Sequence, residues 1–209
     1  MNKLLTTISL VANFSITACT SSELEDYETL EFTVVGNEII GEGIIDSTSL
    51  SLFKKAIETA PDAKTLVLKN VGGSVNDEAN RIFASFVHSQ GFATHVPGNG
   101  MVASGGTDLF LAGVSRTIEK GACIGVHSWA AGTNENSLRG NQVPRDHDLH
   151  KPYLTYYDYV GIPRSFYWFT LEAAPADSMH WMSREKVIEY KMTTQPPGDL
   201  SSDPICNER

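Results

Sequence analysis

The sequence lacks any cluster of lysine and arginine residues, and acidic residues outnumber basic ones. It has 16 Lys and Arg against 25 Asp and Glu, which gives a formal net charge of −9. Nucleic-acid binding needs grouped cations that neutralise phosphates, so this composition argues against a nucleic-acid partner. Internal repeats and low-complexity segments are also missing. A hydrophobic content of 41% is nevertheless enough to build the core of one domain.

Long hydrophobic runs are absent as well. The most apolar stretch near the N-terminus, residues 4–16, is too short to cross a bilayer as a helix. It follows Lys3, and a short apolar run after a basic start is typical of a secretory signal. Its end, Ile16-Thr17-Ala18-Cys19, resembles the lipobox of bacterial lipoproteins. That resemblance predicts a signal peptide over residues 1–18 and a lipid on Cys19; the alternative is an ordinary secretory signal with an incidental cysteine.

A lipid on Cys19 implies anchoring to the membrane rather than spanning it. Residues 19–30 are polar and acidic, and we expect them to form a tether between the lipid and the domain. Thr20, and not Asp, follows the cysteine, which by the same resemblance favours the outer membrane, facing the periplasm. The predicted location is therefore the bacterial cell envelope.

Cysteine is scarce: apart from Cys19, the chain has only Cys123 and Cys206. In an exported protein these two could form a disulfide. A buried free thiol at Cys123 is the other interpretation. The sequence leaves both open.

Strand and helix patterns alternate between residues 31 and 193. Short apolar or β-branched runs predict two strands within 31–45, joined by a tight turn at Gly36-Asn37, and further strands at 65–68, 93–96 and 122–127. Helical spacing predicts helices at 47–60, 104–113, 146–160, 163–173 and 183–190. This alternation is typical of an α/β domain with a mainly parallel sheet. We expect 128–145 to be a long functional loop and 194–209 an irregular tail.

A further helix is predicted after Ser74, which could cap it with Asp77 at the third position. An apolar stripe at helical spacing predicts its buried face, which consists of Ala79, Ile82, Phe83, Phe86 and Val87.

Three features could carry chemistry, and each has an ordinary structural alternative. Gly72-Gly73 follows a strand and could present amides to an oxyanion, or could simply form a tight turn. Ser104 opens a helix, as a nucleophile would, but serine is also a common helix cap. His127 ends a strand and could be a base or a structural histidine. All three fall at strand ends of a parallel pattern, where ligand sites gather.

The segments around these features resemble the Clp protease proteolytic subunit and its relatives in the ClpP/crotonase superfamily. The resemblance covers residues 31–193. It is carried by 66–73 (LVLKNVGG), 101–113 (MVASGGTDLFLAG), 123–127 (CIGVH) and 183–190 (SREKVIEY). The separation of 23 residues between Ser104 and His127 is close to the family's. The resemblance implies a ClpP/crotonase-like α/β fold, with repeated ββα units, a mainly parallel sheet and flanking helices.

The resemblance also implies roles for individual residues. Ser104 would be the nucleophile and His127 its base, with the amides of Gly72 and Gly105 as the oxyanion hole. Asp177 would be the orienting acid. Its spacing to the late helix is about two residues longer than the family pattern, and the rival acids are Asp146, Asp148 and Asp158.

These roles predict a serine peptidase or related hydrolase that acts on peptides or unfolded polypeptides, needs no cofactor and assembles as a homo-oligomer. The sequence departs from the family in three places: Val71 replaces proline, Gly105 replaces methionine, and Lys191 replaces glycine.

Several alternatives stay open. Signal peptide peptidase A and similar enzymes share Gly-Gly-Ser-Val and Ser-Gly-Gly motifs but use a lysine base, and crotonases lack the serine nucleophile. A non-catalytic envelope lipoprotein with a binding or assembly role is a further hypothesis. His147 and His150 could share a metal but have no evident third ligand, so no metal site is expected. The aromatic segment 153–168 could form core packing or the wall of a substrate groove.

Overall fold

The computed structural model describes residues 27–132, 137–203 and 205–208. The predicted signal peptide, Cys19 and the first part of the predicted tether lie outside these ranges. Within them, no helix combines the length and the apolar character needed to cross a bilayer.

An eight-stranded, mainly parallel sheet organises the chain. Its strands are β1 (Glu31–Val35), β2 (Glu38–Glu42), β3 (Thr65–Val71), β4 (Ala93–Val96), β5 (Met101–Ala103), β6 (Arg116–Ile118), β7 (Cys123–Val126) and β10 (His180–Trp181); β8 (Ala130–Ala131) and β9 (Leu138–Arg139) form a separate hairpin. The helices are α1 (Ser49–Thr59), α2 (Asp77–Ser89), α3 (Gly105–Leu111), α4 (Lys151–Tyr159), α5 (Arg164–Ala173) and α6 (Arg184–Glu189). The predicted mixed α/β class with a mainly parallel sheet is confirmed.

The order of the strands decides which loops meet. The main path runs β1-β2-β3-β5-β7-β10, and only the two end strands are antiparallel to their neighbours. On one side, β3 pairs with two different strands: its first half pairs with β4 and its second half pairs with β5. β3, β5 and β7 are consecutive and parallel, so their carboxyl ends open at the same edge of the sheet.

The start of α2 differs from the prediction. Asn76, and not Ser74, caps the helix: its side chain accepts a hydrogen bond from the N–H of Ala79 at 3.0 Å. The backbone of Asn76 is extended, as a capping residue requires, so the helix begins two residues later than a Ser74 cap implies. The Ser74 hydroxyl instead donates to the Asp77 carboxylate at 3.0 Å.

The buried face of α2 also differs from the predicted stripe. Ile82 is 55% exposed, whereas Asn80 and Ala84 are buried beside Phe83 and Val87. The side-chain N–H of Asn80 donates to the carbonyl of Gly105 at 2.9 Å, whereas its Oδ1 has no hydrogen-bond partner among the described residues. The buried face of α2 therefore includes a polar contact with α3.

The tail is fastened to the domain. Cys123 of β7 and Cys206 form a disulfide, which decides between the two interpretations of these cysteines. Residues 194–203 have no regular structure, as predicted, and 205–208 form a single 3₁₀ turn. The segment 128–145, predicted as a loop, contains the β8–β9 hairpin; residues 133–136 lie outside the described ranges.

Candidate active site

The three predicted features meet at one edge of the sheet. Gly72-Gly73 follows β3, Ser104 follows β5 and His127 follows β7. The N–H of Ser104 donates to the carbonyl of Gly125 at 3.1 Å, which continues the β5–β7 pairing by one residue. Ser104 and His127 line the same pocket. The structure therefore brings together the predicted nucleophile and base.

Ser104 occupies a strained turn between β5 and α3. Its φ is 52° and its ψ is −126°, and Lys191 is the only other non-glycine residue in the described ranges with positive φ. Such conformations cost about 1–3 kcal/mol and are retained mainly at functional sites. A serine in a strained strand-to-helix turn presents its hydroxyl away from the backbone, as hydrolase nucleophiles do.

Neighbouring hydrogen bonds hold this turn in place. The hydroxyl of Thr107 donates to the carbonyl of Gly125 at 2.8 Å, and the N–H groups of Thr107 and Asp108 point back at the carbonyl of Ser104. The Ser104 side chain itself caps nothing. The helix-cap alternative for Ser104 is therefore not what the structure shows.

The glycine amides at this edge are available to a ligand. Within the described ranges, the backbone N–H groups of Gly72, Gly73 and Gly105 have no hydrogen-bond partner. Gly73 and Gly105 are buried, and a buried unpaired N–H is rare in proteins. A Cβ placed on Gly73 would lie 3.4 Å from Cβ of Ser104, whereas one on Gly72 would meet Ile44 and Met101. The structure thus places Gly73 beside Ser104 and adds it to the predicted pair.

His127 is held by the backbone. Its Nδ1 lies 3.1 Å from the carbonyl oxygen of Ala176, which only a protonated Nδ1 can satisfy. That tautomer leaves the lone pair on Nε2, the form that a general base needs. Burial lowers the pKa of His127 below its usual value, so the neutral form dominates at pH 7. No hydrogen bond within the described ranges joins its imidazole to the Ser104 hydroxyl.

The structure does not bring Asp177 to His127. Its exposed carboxylate pairs with Arg139 at 3.2 Å, and the carbonyl of the preceding residue, Ala176, takes the place facing Nδ1. The expected contact between the Asp177 side chain and His127 is therefore absent from the described residues, and a backbone oxygen faces Nδ1 instead.

The rival acids are also elsewhere. Asp148 pairs with Lys151, Asp158 pairs with Arg164, and Asp146 is exposed. None of these three acids lines the pocket of Ser104 and His127.

Two other acids do line that pocket, and sequence reasoning missed their role. Asp77 begins α2 and Asp108 lies one turn into α3 after Ser104. The i, i+4 spacing of Ser104 and Asp108 was the available signal for the second. The sequence pattern indicated only a capping role for Asp77. Its proximity to His127 could not be predicted, because it depends on how α2 packs against the sheet.

Asp108 is the most perturbed carboxyl of the site. Burial raises its pKa from 3.8 to about 7, against the hydrogen bond that the Tyr157 hydroxyl donates to Oδ1 at 2.6 Å. The negative charge of Asp77 acts in the same direction as burial. Within the described ranges neither carboxylate forms a salt bridge. One pocket thus contains two acids, of which Asp108 stays largely protonated up to neutral pH.

The aromatic segment forms a wall of the pocket as well as part of the core. Trp129 stacks on Tyr153 and Tyr153 on Tyr167, with ring centroids 5.7 and 5.3 Å apart. All three rings line the pocket, whose volume of about 40 Å³ holds a few water molecules. Tyr153 and Tyr167 of this segment therefore pack with the core and also line the pocket, and a substrate in that pocket stays a prediction.

The metal hypothesis at His147 and His150 finds no support. His150 is buried, and its Nδ1 lies 2.6 Å from the Tyr167 hydroxyl. The Nδ1 of His147 accepts a hydrogen bond from the N–H of Leu149. In the described ranges no group of three or more His, Cys, Asp or Glu could hold a metal ion.

Comparison with known proteins bears on the fold. No protein-family model and no curated protein matches the chain. Among solved structures, two variants of the 1510-N membrane-bound stomatin-specific protease resemble it. A lysine-to-alanine variant in complex with a substrate peptide is 14% identical, with a TM-score of 0.52 over 77% of this chain and 74% of that one. A serine-to-alanine variant is 14% identical, with a TM-score of 0.52 over 79% of each chain.

A weaker match is an enoyl-CoA hydratase from Polaromonas sp. JS666, which is 10% identical over 86% of this chain and 74% of that one, with a TM-score of 0.49. At such identities a likeness to solved structures shows the fold alone. The chain therefore shares the mainly parallel α/β fold of the stomatin-specific protease.

Proposed function

We propose that this protein is a serine hydrolase, most plainly a peptidase, that acts on short or unfolded peptides. Ser104 is its nucleophile and His127 its base. The observation that carries the proposal is the strained turn of Ser104, which shares a pocket with His127 and lies beside unpaired backbone amides. Nucleophile, base and oxyanion donors are the three parts that acyl transfer requires.

The proposed reaction follows from this arrangement. Oγ of Ser104 attacks the substrate carbonyl carbon, and Nε2 of His127 takes the hydroxyl proton. The N–H groups of Gly105 and of Gly72 or Gly73 stabilise the negative oxygen that forms. When the intermediate collapses, the bond to the leaving amine breaks and Nε2 returns the proton to that amine. Water then attacks the acyl-enzyme by the same route and restores Ser104.

A lysine base is less consistent with the pocket. No lysine lines it in the described ranges, whereas His127 does. The Ser-Lys alternative would therefore require a lysine to enter from elsewhere.

A non-catalytic role is the second candidate, and one observation favours it. No hydrogen bond joins Ser104 to His127 in the described ranges, and no carboxylate contacts Nδ1. In that case the pocket would bind a partner in the envelope without chemistry. Catalytic hydrogen bonds often tighten only when substrate binds, so the hydrolase proposal stands first.

We further propose that the protein is a lipoprotein of the bacterial envelope, anchored through Cys19 and facing the periplasm, and that it assembles with copies of itself. The lipobox-like segment supports the anchor. The disulfide between Cys123 and Cys206 supports an oxidising compartment.

Labelling with a fluorophosphonate tests the hydrolase proposal. The detergent-solubilised full chain is compared with Ser104→Ala and His127→Ala variants of equal thermal stability. We expect the wild type to be labelled, Ser104→Ala not at all, and His127→Ala at least 100-fold more slowly. A folded wild type that is not labelled would favour the binding role. Labelling that needs Ser104 but not His127 would favour a lysine base.

A further inference from the structure

When His127 takes the proton of Ser104 it becomes a cation in a half-buried position. Burial disfavours that charged form, which is the main reason its pKa lies below the usual value. A nearby negative charge would oppose this penalty. Such a carboxylate commonly contacts Nδ1 of the histidine. In this protein the uncharged carbonyl of Ala176 occupies that position. The compensating charge must therefore act from another direction.

Asp77 is placed to supply it. Its side chain lines the same pocket as Ser104 and His127. It accepts hydrogen bonds from the hydroxyls of Ser74 at 3.0 Å and Tyr153 at 2.7 Å. It also lies in the first turn of α2, where the helix dipole favours a negative side chain. These contacts fix its position without neutralising it.

The other acids near His127 are less suitable. Asp108 lines the pocket but is largely protonated up to about pH 7. Asp177 is paired with Arg139 and exposed, and Asp203 of the tail is exposed. The guanidinium of Arg81 lies over the ring of Tyr153 and makes no salt bridge with Asp77 in the described ranges. The remaining titratable groups of the pocket wall are the hydroxyls of Tyr153, Tyr157 and Tyr167.

We propose that Asp77 is the positioning carboxylate of this site: it acts through His127 by stabilising the imidazolium across the pocket, in place of a carboxylate on Nδ1. This inference rests on the proposed function. The charge of Asp77 raises the pKa of His127 against the effect of burial, as the proposal requires. Ser74 and Tyr153 act one step further out, by holding the carboxylate.

The direct test is the pKa of His127, measured by NMR titration of its ring proton in the full chain, with the signal assigned from His127→Gln. We expect Asp77→Asn to lower this pKa by about half a unit or more, because a compensating charge is lost. Asp77→Glu and Tyr153→Phe keep the carboxylate charge and should change the pKa of His127 less than Asp77→Asn does. Asp177→Asn should have a smaller effect than Asp77→Asn. A larger shift in Asp177→Asn, or none in Asp77→Asn, would overturn the proposal.

The rate of fluorophosphonate labelling gives a second readout. Asp77→Asn should lower the plateau rate about tenfold and move the acid limb of its pH profile to lower pH. A merely structural defect would lower the plateau without moving the limb. If the wild type is not labelled, the proposed hydrolase function fails while the titration still decides whether Asp77 acts on His127.

Discussion

Asp108 shows how a single buried carboxyl ties the site to the stability of the protein. Its neighbours are aromatic rings, a tyrosine hydroxyl and Asp77, and no cation pairs with it in the described ranges. Its pKa of about 7 in the folded state lies well above the value of 3.8 for an exposed aspartate. Between about pH 4 and pH 7 the folded protein therefore keeps a proton that the unfolded chain has already released.

This difference predicts a pH dependence of stability. A carboxyl whose pKa is raised on folding destabilises the folded state as pH rises from about 4 towards 7. Asp108→Asn removes the ionisation and keeps an acceptor for the Tyr157 hydroxyl. Its free energy of unfolding relative to wild type should therefore increase by about 2 kcal/mol or more between pH 4.5 and 7.5.

Urea unfolding of both proteins at the two pH values measures this change. His127, whose pKa is lowered, makes both proteins less stable as pH falls below about 6.5, and that effect cancels in the comparison. Equal changes for the two proteins would show that Asp108 ionises normally.

At the scale of elements, the contact between α2 and α3 sets the position of Ser104. α3 is only seven residues long and begins directly after Ser104. Gly105 lies against α2 and the loop before it, and its carbonyl accepts the amide of the buried Asn80. The loop itself is fixed by Ile45, whose N–H donates to the carbonyl of Gly73 at 2.9 Å. Glycines occupy these contacts: a Cβ on Gly105 would meet Ser74 and Asn80, and one on Gly73 would meet Ser104.

Gly105→Ala should disturb this contact. An added Cβ would lie 2.4 Å from the Ser74 hydroxyl and 2.8 Å from the Asn80 amide, so α3 must shift. We expect a loss of about 1–3 kcal/mol in stability and at least a tenfold slower fluorophosphonate labelling. Gly41→Ala is the matched control, because its Cβ meets only side chains, at 3.3 Å and beyond, outside the pocket. Normal labelling of folded Gly105→Ala would mean that the α2–α3 contact does not position Ser104.

At the scale of the whole molecule, a disulfide links the tail to β7, the strand that directly precedes His127. The disulfide joins β7 to residue 206 across 83 residues of chain. The tail segment that leads to Cys206 is also held by backbone hydrogen bonds: the N–H of Gly121 donates to the carbonyl of Asp199, and the N–H of Ser201 donates to the carbonyl of Ala122. A second, shallower pocket beside His127 is lined by Ala176 and Asp177 and by Asp203 and Asn207 of the tail. The tail therefore forms part of the surroundings of His127.

Removing the disulfide should weaken the whole fold. In the Cys123→Ala/Cys206→Ala double variant we expect a loss of about 2–5 kcal/mol in the free energy of unfolding, since the cross-link restricts the unfolded chain. Treating the wild type with a reductant should give a similar loss, while the double variant should not respond. Thermal unfolding with and without reductant measures both. A wild type that is insensitive to reductant would contradict a stabilising role for the bridge.

The sequence by itself determined the order of the elements and the location of the site. Alternating strand and helix patterns fix a mainly parallel sheet, and in such a sheet the residues after β3, β5 and β7 must share an edge when these strands are neighbours. Gly72-Gly73, Ser104 and His127 were therefore identifiable in advance. The six helices and the strands β1–β4 and β7 were predictable because their apolar periodicity is local, whereas the short strands β5, β6 and β8–β10 were not predicted.

Tertiary structure alone decided which groups surround that edge. The roles of Asp77 and Asp108 depend on how α2 and α3 pack and on the aromatic rings that α4 and α5 place over the pocket. The cap at Asn76 and the exposure of Ile82 depend on which face of α2 packs against the rest of the domain. Asp177 turned to Arg139, a partner 38 residues away, so a backbone carbonyl faces His127. Burial, charge pairing and disulfide formation each depend on residues distant in the chain, and no local pattern records them.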